Sequence, residues 1–401
     1  MPAKKAPAEK APAKEAPAKK RFLSLCLYPC GAFVTILSAL LGWCAQHPYS
    51  PEGMAFASLY PFVGGFLPRT IIGDEYWITR SPVPSVPAGL KPAARPSEEA
   101  TLSLLGTGDR MPAIGLGMCC RPTAYDFTSS SRSVLWFFLK GGRHIDTADL
   151  YLNHDGVGQG IADAIARGVP RNEMFITTKL FPRNFGDGTY STEFTVRRWL
   201  EELGLDYLDL VLLHGPRGLP LSRACAGTPA ECRKQAWTAL SRMRDLGNIR
   251  NLGVSNFNER QIDQLLELKL APITVNQIQY NPWAPDHQQR LVNYCQEKGI
   301  VVTAWSPFQG TMLQHSSALT VGTLTAMAKD KGTTVAQIIL RWALQKQVSA
   351  IPGTSNPAHM EENLAVYDVK LSDDEMATID KLRSDPEARG FVAQGFLQDE
   401  S

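Results

Sequence analysis

The sequence predicts a (β/α)8 barrel on three observations. Short apolar runs recur at 113–117, 143–147, 174–179, 208–214, 249–255, 273–279, 299–305 and 347–351. Helix-period segments fall near 128–140, 157–167, 191–204, 233–246, 259–268, 286–297, 334–346 and 359–365. Eight such alternations suit a closed parallel barrel better than an open sheet. Third, titratable residues stand at or just beyond the ends of the early runs: Asp146 within RHIDTA and Tyr151 just after it, Lys179 closing MFITTK, and His214 closing LDLVLLH. A barrel of this type carries its catalytic groups at the C-terminal ends of its strands.

The chain reaches the barrel through four segments of different texture. Residues 1–21 hold seven cations, from Lys4 to Arg21, against Glu9 and Glu15, in a Lys/Ala/Pro repeat that predicts a disordered basic tail. Phe22 to Ala45 has no charge over 24 residues, long enough for a transmembrane helix. Arg21 before it predicts a cytosolic N-terminus. Residues 53–68 are also apolar, and as a hairpin would return the chain to the same side, so the side of the barrel stays open. The expected site is an endomembrane such as the endoplasmic reticulum. Residues 46–100 read as a juxtamembrane segment followed, from 79, by an extended Pro-rich linker. The barrel is expected over 101–385, with GDRMP (108–112) as a hairpin turn at its bottom and 386–401 as a short tail.

Composition narrows the function. With 41 Lys+Arg against 39 Asp+Glu, nothing favours nucleic acid as a partner. Eight cysteines are too few for a disulfide scaffold, and none has zinc-finger spacing, so no metal site is expected. Whether Cys225 and Cys232 pair depends on the compartment. GTGDRM (106–111) and GVGQG (156–160) do not fit a Rossmann fingerprint, and both read as turns.

The quartet suggests carbonyl reduction. A hydride acceptor needs an acid to protonate its developing alkoxide, and free tyrosine, with a pKa near 10, is a weak one. A neighbouring Lys179 cation is expected to lower the Tyr151 value, Asp146 to fix the lysine, and His214 to orient the carbonyl.

The ordered motifs GDRMPAIGLG (108–117), RHIDTADLYLN (143–153), FITTKLF (175–181), LDLVLLHGP (208–216), IRNLGVSNF (249–257), VNQIQYNP (275–282), VVTAWSP (301–307) and IPGTSNPAHMEENL (351–364) resemble the aldo-keto reductase family. The resemblance implies NADPH across the top of the barrel and a small aldehyde or ketone substrate. It makes Tyr151 the proton donor, Lys179 and Asp146 its partners, and His214 the substrate-orienting residue. It places Ser255, Asn256 and Gln277 at the nicotinamide carboxamide, and Trp305, where a tyrosine is usual, on the nicotinamide face. Ser306 and Phe308 follow along the cofactor. Gly353, Thr354, Ser355, Asn356, His359, Glu362 and Asn363 align with the adenosine-phosphate end. Phe181 and Cys119 align with the substrate wall.

Two departures qualify the resemblance. Members often carry Lys after Ile-Pro and Arg six residues later, both on the 2′-phosphate; here these are Gly353 and His359, which predicts that NADH also serves. Aromatic wall residues are replaced by Cys119 and Gly215, which predicts a wider pocket. The competing class is a cofactor-binding regulatory or redox-sensing barrel subunit of a membrane complex. A monomer or weak oligomer is expected.

Overall fold

The computed structural model describes residues 83–94, 97, 100–180, 192–217, 228–308 and 322–384. An antiparallel hairpin, β1 (Thr101–Ser103) and β2 (Arg110–Pro112), precedes eight parallel strands. These are β3 (Leu116–Gly117), β4 (His144–Asp146), β5 (Phe175–Leu180), β6 (Leu208–Leu213), β7 (Ile249–Ser255), β8 (Ile273–Gln279), β9 (Val301–Trp305) and β10 (Val348–Ala350). Each pairs with its sequence neighbour, in the order β10 to β3. A parallel bridge from Ile114 to Ala350 joins the last strand to the first. The amide of Gly115 donates to Ala350 O at 2.9 Å and that of Ala350 to Ala113 O at 2.8 Å. The predicted first strand, 113–117, therefore does two jobs. Its first half meets β10, and its second half meets β4.

Burial falls into an inner and an outer layer. Leu104 and Met111 of the hairpin pack with Phe175, Leu210, Leu212 and Val275 in a small cluster plugging the barrel's base. The predicted hairpin is therefore present, but GDRMP supplies its second strand more than its turn. The turn lies over 104–109, where Gly106 and Gly108 adopt positive φ of 73° and 74°. At β7 the register shifts between Leu252 and Val254. A Cβ on Gly253 would meet Val275 O at 2.5 Å and Leu212 Cδ2 at 2.7 Å, so only glycine lets β7 approach β8 there.

Apolar helix faces cover the outside of the sheet. They are α1 (Pro122–Tyr125), α2 (Phe127–Leu139), α3 (His154–Ala166), α4 (Thr192–Leu203), α5 (Pro229–Asp245), α6 (Glu259–Leu266), α7 (Asp286–Glu297), α8 (Gly322–Lys331), α9 (Val335–Gln345), α10 (Pro357–Leu364) and α11 (Asp373–Asp380). Capping boxes start α5 (Thr228/Glu231), α6 (Asn258/Gln261), α9 (Thr334/Gln337) and α11 (Ser372/Glu375). The sequence reading missed α1, α8 and α11, although the Ser372-x-x-Glu375 pattern was available for the last.

Two expectations change. GVGQG is not a turn but lies within α3. Its small residues allow close helix packing: a Cβ on Gly158 would stand 2.6 Å from Glu202 O, and one on Gly160 2.6 Å from Ser131 O. The described part of the Pro-rich linker is not free either. Val83 is buried, and Val86 and Leu90 pack on the core. Prolines leave carbonyls without sheet partners, and side chains of the barrel take them up. Trp136 Nε1 donates to Pro84 O (2.9 Å), Arg167 to Pro87 O (2.7 Å) and Arg132 to Val83 O (3.2 Å). The basic tail, the apolar stretches 22–45 and 53–68, and the tail 386–401 lie outside the described residues. Among the described residues, no helix is long and apolar enough to cross a membrane.

Candidate active site

The C-terminal rim of the barrel gathers the predicted quartet. Asp146 ends β4, Lys179 stands one residue before the end of β5, and His214 follows β6. All three are buried. Lys179 Nζ donates to Asp146 Oδ1, to Thr147 O at 2.9 Å and to Tyr151 Oη at 3.4 Å. Across the barrel, Gln277 Nε2 on β8 donates to Asp146 Oδ2 at 2.7 Å. Both carboxylate oxygens of Asp146 are thus engaged, which is what a buried charge requires. The His214 ring meets the Tyr151 ring edge-on, with centroids 5.6 Å apart.

Tyr151 reaches this cluster from a 3-10 turn, Asp149–Tyr151. Local bonds hold the turn on both sides. Asp149 is buried and accepts from Arg198 and from Trp199 Nε1 at 2.8 Å, both on α4. Leu152 then takes a left-handed φ of 51°. Asn153 accepts from Thr147 Oγ1 at 2.6 Å and donates to Met118 O (2.9 Å) and Ala124 O (3.0 Å). Asp149 and Asn153 were not singled out in the sequence. Both lie in the RHIDTADLYLN motif, and their role depends on partners far along the chain.

The electrostatics correct one expectation. The Tyr151 phenol is not lowered by Lys179. Burial pushes it well above its ordinary value of 10, and the Asp146 carboxylate adds to that rise. Lys179 itself is pushed down by burial while Asp146 holds it up. The lysine charge is matched at contact distance by Asp146, so little net positive field remains at the phenol. Tyr151 therefore keeps its proton throughout the neutral range. His144, two residues before Asp146 on β4, is lowered to about 4, chiefly by burial. Its ring nitrogens face Pro112 O at 3.2 Å and Thr177 Oγ1 at 3.0 Å.

The residues aligned with the nicotinamide form a second connected set. Ser255 Oγ donates to Gln277 O at 2.8 Å, and Asn256 Nδ2 to Ser255 Oγ (3.1 Å) and His214 O (3.0 Å). Trp305 Nε1 donates to Asn256 Oδ1 at 3.0 Å, which fixes the indole at the end of β9. Asn256 and Ser306 both take left-handed φ, 62° and 48°, where the chain leaves β7 and β9. Phe308 is half-buried against the core.

The aligned adenosine-phosphate segment is more open. Gly353 and His359 are exposed. Thr354 Oγ1 lies 3.5 Å from His359 Nδ1 and accepts from the Asn356 amide at 3.1 Å. Asn356 caps α10. Glu362 is engaged by Thr334 Oγ1 (2.5 Å), and Asn363 is buried, so both also serve the packing of α10. Thr123 Oγ1 donates to Ser355 Oγ at 3.0 Å and links this segment to the loop after β3. That loop contains Arg121, which the sequence reading did not select. Its guanidinium donates to Gly117 O at 2.5 Å and Cys119 O at 3.4 Å.

Of the two residues aligned with the substrate wall, Phe181 lies outside the described residues. Cys119 is half-buried at the rim and joined to Cys120 by a disulfide, a link the sequence reading did not anticipate. Cys232 is disulfide-bonded, while Cys225 lies outside the described residues.

The sequence profile of the aldo/keto reductase family matches residues 113–384. A Mycolicibacterium vanbaalenii aldo-keto reductase is 37% identical over 290 residues, covering 71% of this chain and 95% of that protein. A Trypanosoma cruzi 9,11-endoperoxide prostaglandin H2 reductase is 34% identical over 282 residues, covering 70% and 91%. Among solved structures, a Bombyx mori aldo-keto reductase in complex with NADP aligns with a TM-score of 0.62 at 32% identity, covering 72% of this chain and 93% of that one. The profile spans the residues that build the closed sheet and its polar rim, and the chain belongs to the aldo/keto reductase family.

Proposed function

We propose that this chain reduces an aldehyde or ketone to the alcohol with NADPH, and that Tyr151 gives the proton. The carrying observation is the hydroxyl of half-buried Tyr151, 3.4 Å from Lys179 Nζ, beside an Asp146 carboxylate satisfied from two sides. When bound, the cofactor supplies the hydride. The residues at the rim fit such a group. Trp305 offers a flat, half-buried ring fixed by Asn256, and Arg121 carries a buried Nε with no partner. Ser255, Asn256 and Gln277 would hold the nicotinamide amide, and the 353–363 segment the adenosine end.

The chain's own chemistry is proton placement. A substrate carbonyl oxygen set between Tyr151 and His214 accepts a hydrogen bond from the phenol. The high phenol pKa keeps that proton in place until negative charge builds on the oxygen. Lys179 donates to the phenol oxygen, so it stabilises the phenolate as the proton leaves. Asp146 favours the charged form of Lys179 against the burial that lowers it. Donation to carbonyls is thereby favoured over abstraction from alcohols. Gly353 and His359, both exposed, stand where a Lys and an Arg are usual, which supports use of NADH beside NADPH. Cys119 and Phe181 are proposed to wall the substrate.

The uncharged 22–45 stretch behind a basic tail adds a membrane tether to this reading, at an endomembrane. Extraction of isolated membranes with alkaline carbonate tests it: the full chain should stay in the pellet, and release into the wash excludes the tether. The catalytic reading is tested by NADPH consumption by the purified full chain with a panel of aromatic and aliphatic aldehydes. Turnover with several is expected. Tight NADPH binding without turnover of any would favour a regulatory subunit instead.

A further inference from the structure

The loop after β3 places a cation where the sequence lacks one. Arg121 Nη1 donates to Gly117 O (2.5 Å) and Cys119 O (3.4 Å), and Nη2 lies 3.4 Å from Met118 Sδ. All three acceptors are neutral. Among the described residues Arg121 pairs with no carboxylate, and its Nε is buried without a partner. A guanidinium has five N–H donors, so part of this fork is unspent. Burial lowers the group only to about 10, which leaves it cationic at neutral pH.

The opposite side of the same space belongs to Gly353. A Cβ built there would stand 3.1 Å from Arg121 Nη1 and 3.3 Å from Gly117 O. The guanidinium thus occupies the room into which a side chain at 353 would grow. The glycine and the arginine are complementary: one gives up its side chain, and the other fills the space with a charge. Thr123 on the same loop bonds Ser355, so the two segments are held together independently of Arg121. Gly353 is exposed and Arg121 only half-buried, so the fork can be reached from solvent.

We propose that Arg121 binds a phosphate of the dinucleotide cofactor, supplying from the β3 loop the charge absent at Gly353. This rests on the proposed function above. Planar guanidinium donors match phosphate oxygens in pairs, and such a contact holds the anion more specifically than a single imidazole donor can. The phosphate is either the pyrophosphate, common to both dinucleotides, or the 2′-phosphate of NADP alone.

The test is calorimetric titration of the full chain with NADP+ and NAD+. Arg121→Gln should weaken NADP+ at least about ten-fold, the scale of a lost charged hydrogen bond. Arg121→Lys, which keeps the charge but not the paired donors, should fall between the wild type and Arg121→Gln. Gly353→Lys should restore affinity in Arg121→Gln by clearly more than it adds to the wild type, an excess that a merely structural arginine would not give. An equal loss for NAD+ assigns the pyrophosphate, and a loss for NADP+ alone assigns the 2′-phosphate. Should Arg121→Gln not fold, Gly353→Val serves instead, because its methyls crowd the guanidinium and should produce the same loss. Wild-type affinity for both nucleotides in Arg121→Gln, or in Gly353→Val where that variant is used, overturns the proposal. If the wild type binds neither nucleotide, the proposed function fails and not this assignment alone.

Discussion

The two ends of the candidate cofactor site are built differently. Around Tyr151, bonds run without a break from Lys179 through Asp146, Gln277, Ser255 and Asn256 to Trp305, across β4, β5, β7, β8 and β9. Around 353–359 the side chains are short or exposed, and apart from Ser355 their bonds are local. Buried polar groups leave little freedom, because each unmet partner is costly in a dry interior. The reacting end is therefore preorganised, whereas the phosphate end relies on fewer and more solvated contacts. Substitutions at the first should cost both folding and rate. Those at the second should shift affinity by modest factors.

The largest expected effect is at Lys179. Lys179→Met strips the buried Asp146 carboxylate of its counter-charge, a change of about 3–5 kcal/mol in similar settings. Thermal melting should fall by several degrees, and carbonyl reduction should be nearly abolished. A variant as stable as wild type would show that the rim is wetter than described. His144 comes next. Its folded pKa of about 4 lies below the unfolded 6.5, so the unfolded chain binds more protons between these values. Stability is complete above pH 6.5 and declines as pH falls toward 4, by about 3 kcal/mol from this group. Urea unfolding of wild type and His144→Gln across that window measures it; the variant should lose this component of the slope.

Asn153→Ala removes the bonds tying the Tyr151 turn to the β3 loop. About 1–3 kcal/mol of stability should go, with kcat lowered more than cofactor affinity. The smallest effect belongs to the open end. His359→Ala should change the ratio of kcat/KM for NADPH over NADH by less than about three-fold, since the imidazole is exposed and a contact in water is weak. A collapse of NADPH preference in this variant would move the phosphate contact from Arg121 to His359.

How much was legible follows from the range of each interaction. The eight strands and eight of the helices were readable because apolar spacing is local. So were Asp146, Lys179 and His214, since each closes an apolar run. The direction of the Tyr151 shift was not readable. Sequence shows a lysine nearby, but not that Asp146 cancels its charge or that the pocket is dry. Arg121 was hidden for a similar reason: its meaning comes from Gly353, which lies on the far side of the barrel's closure. The residues 83–94 looked like a linker because proline marks extended chain equally well when that chain is docked. Helix α8 was missed because its apolar residues do not fall into a strong stripe.

The central claim is that Tyr151 donates the proton and keeps it at all neutral pH. Single-turnover reduction of 4-nitrobenzaldehyde by the NADPH complex tests this most directly, followed from pH 6 to pH 9 in wild type and Tyr151→Phe. The wild-type rate should show no inflection in that range, and the variant should lose at least about 100-fold with cofactor affinity kept. A Tyr151→Phe rate close to wild type would contradict the assignment, and a wild-type rate falling through an inflection near pH 8 that is absent from Tyr151→Phe would contradict the raised phenol.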